Sequence, residues 1–192
     1  MAAERHLHPL QVYILLHLKR AGTEYAKGIA RRLKISTAEV EDALSRLEAC
    51  SLVERSSGSA IKRSEARFKL AQEVRKHHLY YTLTRDGRHL LRKLSITCYL
   101  RARYSEKAPE VLELLKKAGC ENHLTLARLT SMKPAEAKEL LEHLRRDGLA
   151  CTCSARVLKR KHRRAKPKKE TRTHHTYYRL SRMGELLLRG AL

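Results

Sequence analysis

The chain repeats itself, and this repetition limits what it can fold into. The segment HHLYYTLTRDG at residues 77–87 returns as HHTYYRLSRMG at residues 174–184, so matching residues lie 97 positions apart. The same offset relates KRAG at residues 19–22 to KKAG at residues 116–119. A register kept without a gap over about 80 residues indicates two copies of one small domain.

The repeat and the length together predict the domain boundaries. We expect a first domain over residues 1–96, a connector over residues 97–108 and a second domain over residues 109–192. A domain of about 90 residues can bury a modest hydrophobic core. Helical spacing relates Leu90 to Cys98, which predicts that the last helix of the first domain runs on to about residue 104. A short flexible linker is the alternative.

Both halves are strongly basic. The 192 residues include 42 Lys and Arg against 20 Asp and Glu, a formal net charge of +22. Residues 1–96 hold 19 basic and 10 acidic side chains, and the remainder holds 23 and 10, giving +9 and +13. This excess predicts a polyanionic partner, and nucleic acid suits a folded chain of this length better than a membrane.

The longest apolar run does not suit a membrane or secretory protein. It lies in LQVYILLHLKRAG, where His17 and Lys19 interrupt it well short of a membrane span. The N-terminus lacks the basic start and cleavage site of a signal peptide. We therefore expect no membrane partner and a cytoplasmic, nucleoid-associated protein. Only three Asn and Gln residues are present, which is typical of a high-temperature organism.

Local signals give the order of elements in each copy. The first copy begins with a helix over about residues 9–21 that ends at Gly22, a natural helix stop. A second helix lies in EYAKGIARRLK, and Ser36 followed by Glu39 forms a capping box that predicts a third helix from Thr37. A strand, a return strand and another helix follow. In the second copy, Pro134 falls in the first turn of the third helix.

Three helices followed by a two-stranded hairpin is the order of a winged helix. We therefore expect a mainly α fold with small β-hairpins (α+β): two tandem winged-helix domains joined by a helical connector. YYTLTRDGRHLL and YYRLSRMGELLL resemble the wing-strand-to-helix step of winged-helix regulators of the MarR and PadR kind. The tandem arrangement resembles an uncharacterised archaeal family of winged-helix proteins. These resemblances imply the fold over nearly the whole chain and, more weakly, a DNA-binding function.

Alternation along the return strand assigns its side chains to two faces. Tyr81, and Tyr178 in the second copy, are predicted to be core residues. The opposite face provides candidate contacts to a nucleic-acid backbone, together with the start of the third helix; these candidates are Ser36, Thr37, His78, Tyr80, His175 and Tyr177. A structural or solvated role for the histidines is the alternative. Gly87 and Gly184 are expected where a helix packs closely.

Basic residues concentrate in the predicted wings, over about residues 55–78 and 154–175. Lys159 to Arg172 alone contains nine basic residues and one acid, Glu170. Such a density of like charge is self-repulsive unless a polyanion neutralises it, although charge runs are often simply solvated. The predicted nucleic-acid-binding residues are Arg31, Arg32, Lys34, Lys62, Arg63, Arg67, Lys69, Arg75, Lys76, Arg156, Lys159, Arg160, Lys161, Arg163, Arg164, Lys166, Lys168, Lys169 and Arg172.

The third helices, which would enter the major groove, do not carry the expected charge. Residues 36–50 contain one base and four acids, a net charge of −3, and residues 133–147 contain four of each. Neither helix offers a set of Arg, Asn or Gln side chains that could form bidentate hydrogen bonds with base edges. Recognition is therefore expected to rest on phosphates and groove shape, with little direct base readout.

Catalytic and metal chemistry find no support in the residue pattern. There is no glycine-rich phosphate loop, no pair of catalytic carboxylates and no metal-ligand spacing, so we expect neither an enzyme nor a cofactor. The chain contains five cysteines: Cys50, Cys98, Cys120, Cys151 and Cys153. We expect buried thiols, with a disulfide and a zinc site as the alternatives.

The sequence thus favours a double-stranded DNA-binding protein, either a transcription regulator or a chromatin-associated factor. The two domains would act as a built-in dimer within a monomer, and a homodimer remains an alternative. An RNA- or ribosome-associated protein is the second hypothesis, because basic arms also penetrate folded RNA. A module that docks on RNA polymerase or a similar assembly is the third.

Overall fold

The computed structural model describes residues 7–57, 78–154 and 176–189. Within these ranges the chain is mainly helical, with two small antiparallel sheets of three strands each. The contacts divide it into two compact units, one reaching Tyr99 and including the residues from Leu186 onward, the other extending from Leu100 to Glu185.

The first repeat contains four helices and three strands in the described residues. In chain order they are α1 (Pro9–Ala21), β1 (Thr23–Glu24), α2 (Ala26–Leu33), α3 (Thr37–Ala49), β2 (Val53–Ser57), β3 (Leu79–Leu83) and α4 (Arg85–Lys93). The helix α5 (Ile96–Arg103) follows. The second repeat has the same order: α6 (Ala108–Ala118), β4 (Glu121–Asn122), α7 (His123–Thr130), α8 (Pro134–Arg146), β5 (Ala150–Cys153), β6 (Tyr177–Leu180) and α9 (Arg182–Arg189).

Each sheet is centred on its return strand. The strand orders are β1-β3-β2 and β4-β6-β5, with all neighbours antiparallel. In the first sheet Val53 pairs with Leu83 and Ser57 with Leu79. In the second, Ala150 pairs with Leu180 and Cys153 with Tyr177. Both return strands therefore have a partner on each side.

The predicted helix boundaries hold where a local capping signal exists. The Ser36 hydroxyl accepts the Glu39 N–H and the Glu39 carboxylate accepts the Ser36 N–H, so α3 begins at Thr37 as predicted. Gly22 ends α1 at a φ of 80°, in a region that favours glycine. Pro134 occupies the first turn of α8.

The predicted continuous helix to residue 104 is wrong. The helix α4 ends at Lys93, and Leu94 has an extended backbone with a ψ of 115°. The Ser95 hydroxyl then accepts the Cys98 N–H at 3.4 Å, and α5 starts at Ile96. Helical spacing persists through this region, but a serine that can cap a new helix lies inside it. The connector is helical only as a separate helix.

Each repeat has its own hydrophobic core. In the first, helix residues such as Ile14, Leu44 and Leu47 have no exposed surface. In the second, Leu112, Leu126 and Leu141 are equally buried. The buried residues of α3 and α8 lie on one stripe of each helix, whereas α1 is buried on nearly all sides. Tyr81 and Tyr178 are buried as predicted.

Tyr80 is not on an open face, contrary to the alternation-based prediction. Its side chain is completely buried, while Leu79, predicted to share the core face with Tyr81, is 46% exposed. The ring of Tyr25 stacks on His78 at 4.8 Å between centroids and meets Tyr80 edge to face at 5.7 Å. The second face of β3 is therefore covered at Tyr80 by Tyr25, the N-cap of α2, and by His78, the residue before the strand.

One carbonyl group in each repeat joins the sheet to the following helix. The Leu52 carbonyl accepts the Thr84 N–H at 3.2 Å, and the Leu149 carbonyl accepts the Ser181 N–H at 3.0 Å. The Thr84 hydroxyl donates to the Ser51 carbonyl and accepts the Gly87 N–H. A Cβ added at Gly87 would overlap the Leu52 carbonyl oxygen, and one at Gly184 would overlap that of Leu149. The close packing predicted at both glycines is confirmed.

The cysteines are not the buried thiols that were expected. Cys50 and Cys98 are exposed and Cys151 is half-buried. Cys120 and Cys153 form a disulfide with Cα atoms 6.4 Å apart. The bond links the residue before β4 to the last residue of β5, two positions that only the folded sheet brings together.

We expect Gly87→Ala to lower the free energy of unfolding by about 1–3 kcal/mol, the usual cost of overpacking. In a helix without such a contact, alanine is more favourable than glycine by about 1 kcal/mol. A net loss of stability would therefore show that the added Cβ clashes with the Leu52 carbonyl. Urea unfolding monitored by circular dichroism measures the change. A variant as stable as the wild type would contradict this packing.

Gly119 provides the control, because a Cβ there would meet no atom within 4 Å and only its φ of +77° is unusual. Its ψ of −37° lies outside the left-handed helical region that asparagine tolerates. We therefore expect Ala and Asn to destabilise the protein about equally at Gly119, whereas at Gly87 the larger Asn should destabilise it more than Ala.

Removal of the disulfide by Cys120→Ser is expected to lower the stability of the second repeat by about 3–4 kcal/mol. The two cysteines are 33 residues apart, and cross-links that close loops of this size restrict the unfolded chain accordingly. Thermal unfolding of the wild type with and without reductant should show the same difference. Cys151→Ser, which removes a free thiol on the same strand, should change neither curve.

Candidate nucleic-acid interface

Three cations mark the corner between α2 and α3. Arg31, Arg32 and Lys34 are all exposed, and Lys34 ends α2 with a left-handed backbone at a φ of 60°. Ser36 is exposed beside them, but its hydroxyl is engaged in the α3 cap. That hydrogen bond lowers the pKa of Glu39, which keeps a carboxylate charge at the start of the helix. The corner therefore presents cations next to a fixed negative charge.

The outward face of α3 is acidic in the folded protein. Glu41 and Asp42 are exposed, and Asp42 pairs with Arg46 at 3.1 Å. Glu48 holds Arg55, from β2, at 2.6 Å. The Arg55 guanidinium also lies 6.0 Å from the centre of the Tyr81 ring. A phosphate backbone approaching α3 would meet carboxylates along the face that borders the sheet.

The corresponding face of α8 carries the opposite charge. Lys138 and Arg145 occupy the positions of Glu41 and Glu48 in the 97-residue register, and both are exposed. Sequence counting missed this reversal, because it compared the totals of each helix and not aligned positions. Position-by-position alignment of the two copies is the signal that finds it.

Several acids of α8 are already occupied within the second unit. Asp147 accepts the Arg103 guanidinium at 2.8 Å and the Tyr104 hydroxyl at 2.7 Å, and its side chain is only 13% exposed. Glu142 accepts the Tyr178 hydroxyl at 2.5 Å and pairs with Arg145. The balance of four bases and four acids in this segment thus overstates its exposed negative charge.

Burial, and next the hydrogen bond to Glu142, raise the pKa of Tyr178 to about 12. The same hydrogen bond lowers the pKa of Glu142, followed by its bond from Arg145. In the first repeat Ser45 stands at the position of Glu142, so this pair is particular to the second copy. It fixes the outer face of α8 against the central strand β6.

Most of the predicted binding residues lie in the two segments that join the strands. We name residues 58–77 the first basic segment and residues 155–175 the second basic segment. Lys62, Arg63, Arg67, Lys69, Arg75, Lys76, Arg156, Lys159, Arg160, Lys161, Arg163, Arg164, Lys166, Lys168, Lys169, Arg172 and His175 lie outside the described residues. The described strands nevertheless fix where each segment leaves and re-enters its sheet.

The predicted backbone contacts have mixed outcomes. Tyr80 is buried and cannot contact a ligand, because Tyr25 and His78 cover it, so this prediction is wrong. His78 is half-buried in its stack with Tyr25, and Tyr177 and Thr37 are also half-buried. These three retain exposed surface beside the ends of the basic segments or of α3.

Arg55 and Lys27 are residues that the sequence prediction missed. They line a cleft of about 460 Å³ with Thr37, Glu41 and His78, between α3 and the root of the first hairpin. The lining combines these charged side chains with Tyr25, Leu79 and Tyr81. At the Arg55 position the second copy has Thr152, so this cleft also differs between the repeats.

Metal chemistry gains no support from the described residues, among which no three His, Cys, Asp or Glu side chains gather at a distance suited to a metal ion. None of the helices in the described ranges has the length and apolar character that crossing a bilayer requires.

The described residues define a tandem protein, in which a small domain of four helices and a three-stranded antiparallel sheet occurs twice. The chain belongs to the family DUF2250, described as an uncharacterized protein conserved in archaea, which it matches over residues 4–94 and again over residues 101–191. The two matches start 97 residues apart, which confirms the repeat and its archaeal relationship. Neither the curated proteins nor the solved structures gave a match.

The raised pKa of Tyr178 predicts a loss of stability at high pH. Its folded pKa of about 12 lies above the usual 10.0, so the contribution is complete below pH 10.0 and is lost as the pH rises toward 12. We expect Tyr178→Phe to lack this loss and to remove the last component of an absorbance titration of tyrosinate. Tyr177→Phe is the control, and the component should persist there; its persistence in Tyr178→Phe would refute the assignment.

Proposed function

We propose that this chain is a double-stranded DNA-binding protein, a transcription regulator or chromatin-associated factor, built from two winged-helix domains. The element order α1-β1-α2-α3-β2-β3 and the sheet order β1-β3-β2 support this fold assignment. In it, α2 and α3 form a helix-turn-helix, and β2 with β3 forms the wing. The second repeat has the same parts, with α7, α8 and the β5–β6 hairpin.

The placement of the basic segments carries the proposal. Together they hold 16 basic and 3 acidic residues, so they supply +13 of the formal net charge of +22. Each begins and ends at paired strand residues, Ser57 with Leu79 and Cys153 near Tyr177. More than half of the excess charge thus belongs to segments that join paired strands, and we propose that this charge binds the phosphate backbone.

The helices are proposed to contribute unequally. In the first repeat Arg31, Arg32 and Lys34 hold phosphates, while the acidic face of α3 keeps that helix from inserting deeply into the major groove. In the second repeat Lys138 and Arg145 allow α8 a closer approach. Binding then depends mainly on phosphates and groove shape, with little preference for sequence. A protein of this kind is expected with the nucleoid.

The proposal predicts a steep dependence of affinity on salt. If six to eight phosphates are contacted, log K should fall against log salt with a slope of about −5 to −7. Fluorescence anisotropy of a labelled duplex over a salt series measures it. Deletion of residues 159–169 should remove most of the binding and leave the melting temperature nearly unchanged. A wild-type slope shallower than about −2 would exclude a grip on the backbone by the wings.

Two controls separate charge from other effects of the deletion. A chain in which residues 159–169 are scrambled keeps the charge and should bind nearly as well as the wild type. A chain in which their Lys and Arg residues are replaced by Gln keeps the length and should bind as poorly as the deletion. Competition with structured RNA identifies the nucleic acid: a preference for RNA of tenfold or more would replace DNA as the partner.

A further inference from the structure

The helix α4 carries a row of basic side chains, three arginines and a histidine, that belongs to neither predicted wing. Arg85, Arg88, His89 and Arg92 are all exposed and are spaced at i, i+3, i+4 and i+7, so they lie on one side of the helix. We name these four residues the α4 stripe. They line a surface depression of about 420 Å³ that also includes Asp86.

The packing of α4 fixes the direction of this stripe. Gly87 and Leu91 are buried on the opposite side, with Gly87 against the Leu52 carbonyl oxygen. The Arg88 guanidinium donates to the Leu83 carbonyl at 2.6 Å, which ties the helix to the end of β3. The helix cannot rotate without losing these contacts, so the stripe is a preorganised surface.

The second repeat shows what an ordinary solvated helix looks like at the same place. In α9 the positions of Arg88 and His89 are taken by Glu185 and Leu186. Arg182 there pairs with Glu185 at 3.1 Å, an i, i+3 ion pair of the common kind. In α4, no carboxylate within the described ranges forms an ion pair with the arginines of the stripe. At this position the first copy has a third arginine and the second copy has a neutralising acid.

We infer that the α4 stripe is a second binding surface for a phosphodiester backbone, separate from the two basic segments and from the α2–α3 corner. This inference rests on the proposed function, because it assigns a further contact to the same nucleic-acid ligand. From Arg85 to Arg92 the helix rises about 10 Å. One strand of a duplex presents about three phosphates over that length of its axis, so the three arginines match the ligand in number.

The stripe also accounts for the difference between the repeats. The first repeat has the acidic α3 face and the less basic segment, yet its α4 is basic. The second repeat has the more basic segment and an exposed Lys138 on α8, where Arg145 pairs with Glu142 at 2.8 Å, and its α9 carries the pair of Arg182 with Glu185. The exposed basic positions of the two repeats thus lie on different helices. The first repeat would therefore bind the backbone through its sheet-following helix.

The test uses the full chain with Arg85→Gln and Arg92→Gln together, which leaves the Arg88 bond to Leu83 intact. We expect a salt slope shallower by about 2 and, near 0.1 M salt, duplex binding weaker by about tenfold to a hundredfold. The control carries Arg182→Gln and Arg189→Gln at the equivalent positions of α9, with the same loss of charge. It should keep the wild-type slope, as should Arg85→Lys with Arg92→Lys.

The outcomes distinguish this inference from the proposed function. Two results would overturn the α4 stripe and leave the proposed function intact. In the first, the wild type has a steep slope of log K against log salt and neither double glutamine variant changes it. In the second, both double variants reduce the slope equally, because the loss of positive charge alone would then explain the effect. A shallow wild-type slope would instead overturn the proposed function, in which the basic segments bind the phosphate backbone. In the chain lacking residues 159–169, Arg85→Gln and Arg92→Gln should still reduce the remaining slope by about 2.

Discussion

A single carbonyl group holds each repeat together. The Leu52 carbonyl, and that of Leu149 in the second copy, accepts a hydrogen bond from the residue that follows the central strand. The same carbonyl lies against the glycine in the first turn of the next helix. Four pieces meet there: the exit of the third helix, the start of β2 or β5, the end of the central strand and the last helix. The repeated TRDG and SRMG segments supply the hydroxyl cap and the missing Cβ that this junction requires.

The two copies keep this junction and change the charge around it. Packing and hydrogen bonding restrict these positions: a side chain at Gly87 would clash with the Leu52 carbonyl, loss of the Thr84 hydroxyl would leave a polar group unpaired, and truncation of Tyr81 would open a cavity. The exposed positions are under no such restriction. Glu41 and Lys138 occupy one place in the register with opposite charges, and so do Arg88 and Glu185. A duplicated fold can in this way present two different electrostatic surfaces.

Much of the fold was predictable because its signals are local. The capping box at Ser36, the helix end at Gly22 and the proline in the first turn of α8 depend on residues within one turn. One prediction failed because a distant residue decides: Tyr80 is covered by Tyr25, the N-cap of α2. The other failed although its signal is local, because Ser95 caps a separate helix two residues after α4 ends. Among the binding candidates, the corner cations are exposed as expected, whereas Arg55 and the α4 stripe became visible only in the folded sheet.

The sequence by itself determined the duplication, the order of the four helices and two hairpin strands of each copy, and the concentration of positive charge between those strands, because each depends on spacing and composition. The third strand of each sheet, β1 or β4, has only two residues and was not predicted. Only the tertiary structure decided which charges remain available. Asp147 binds Arg103 and Tyr104, and Glu142 binds Tyr178 and Arg145. The fold likewise decided that Cys120 forms a disulfide with Cys153. The physical reason is that hydrogen bonds, ion pairs and disulfides act over a few ångströms, and folding sets which residues come that close.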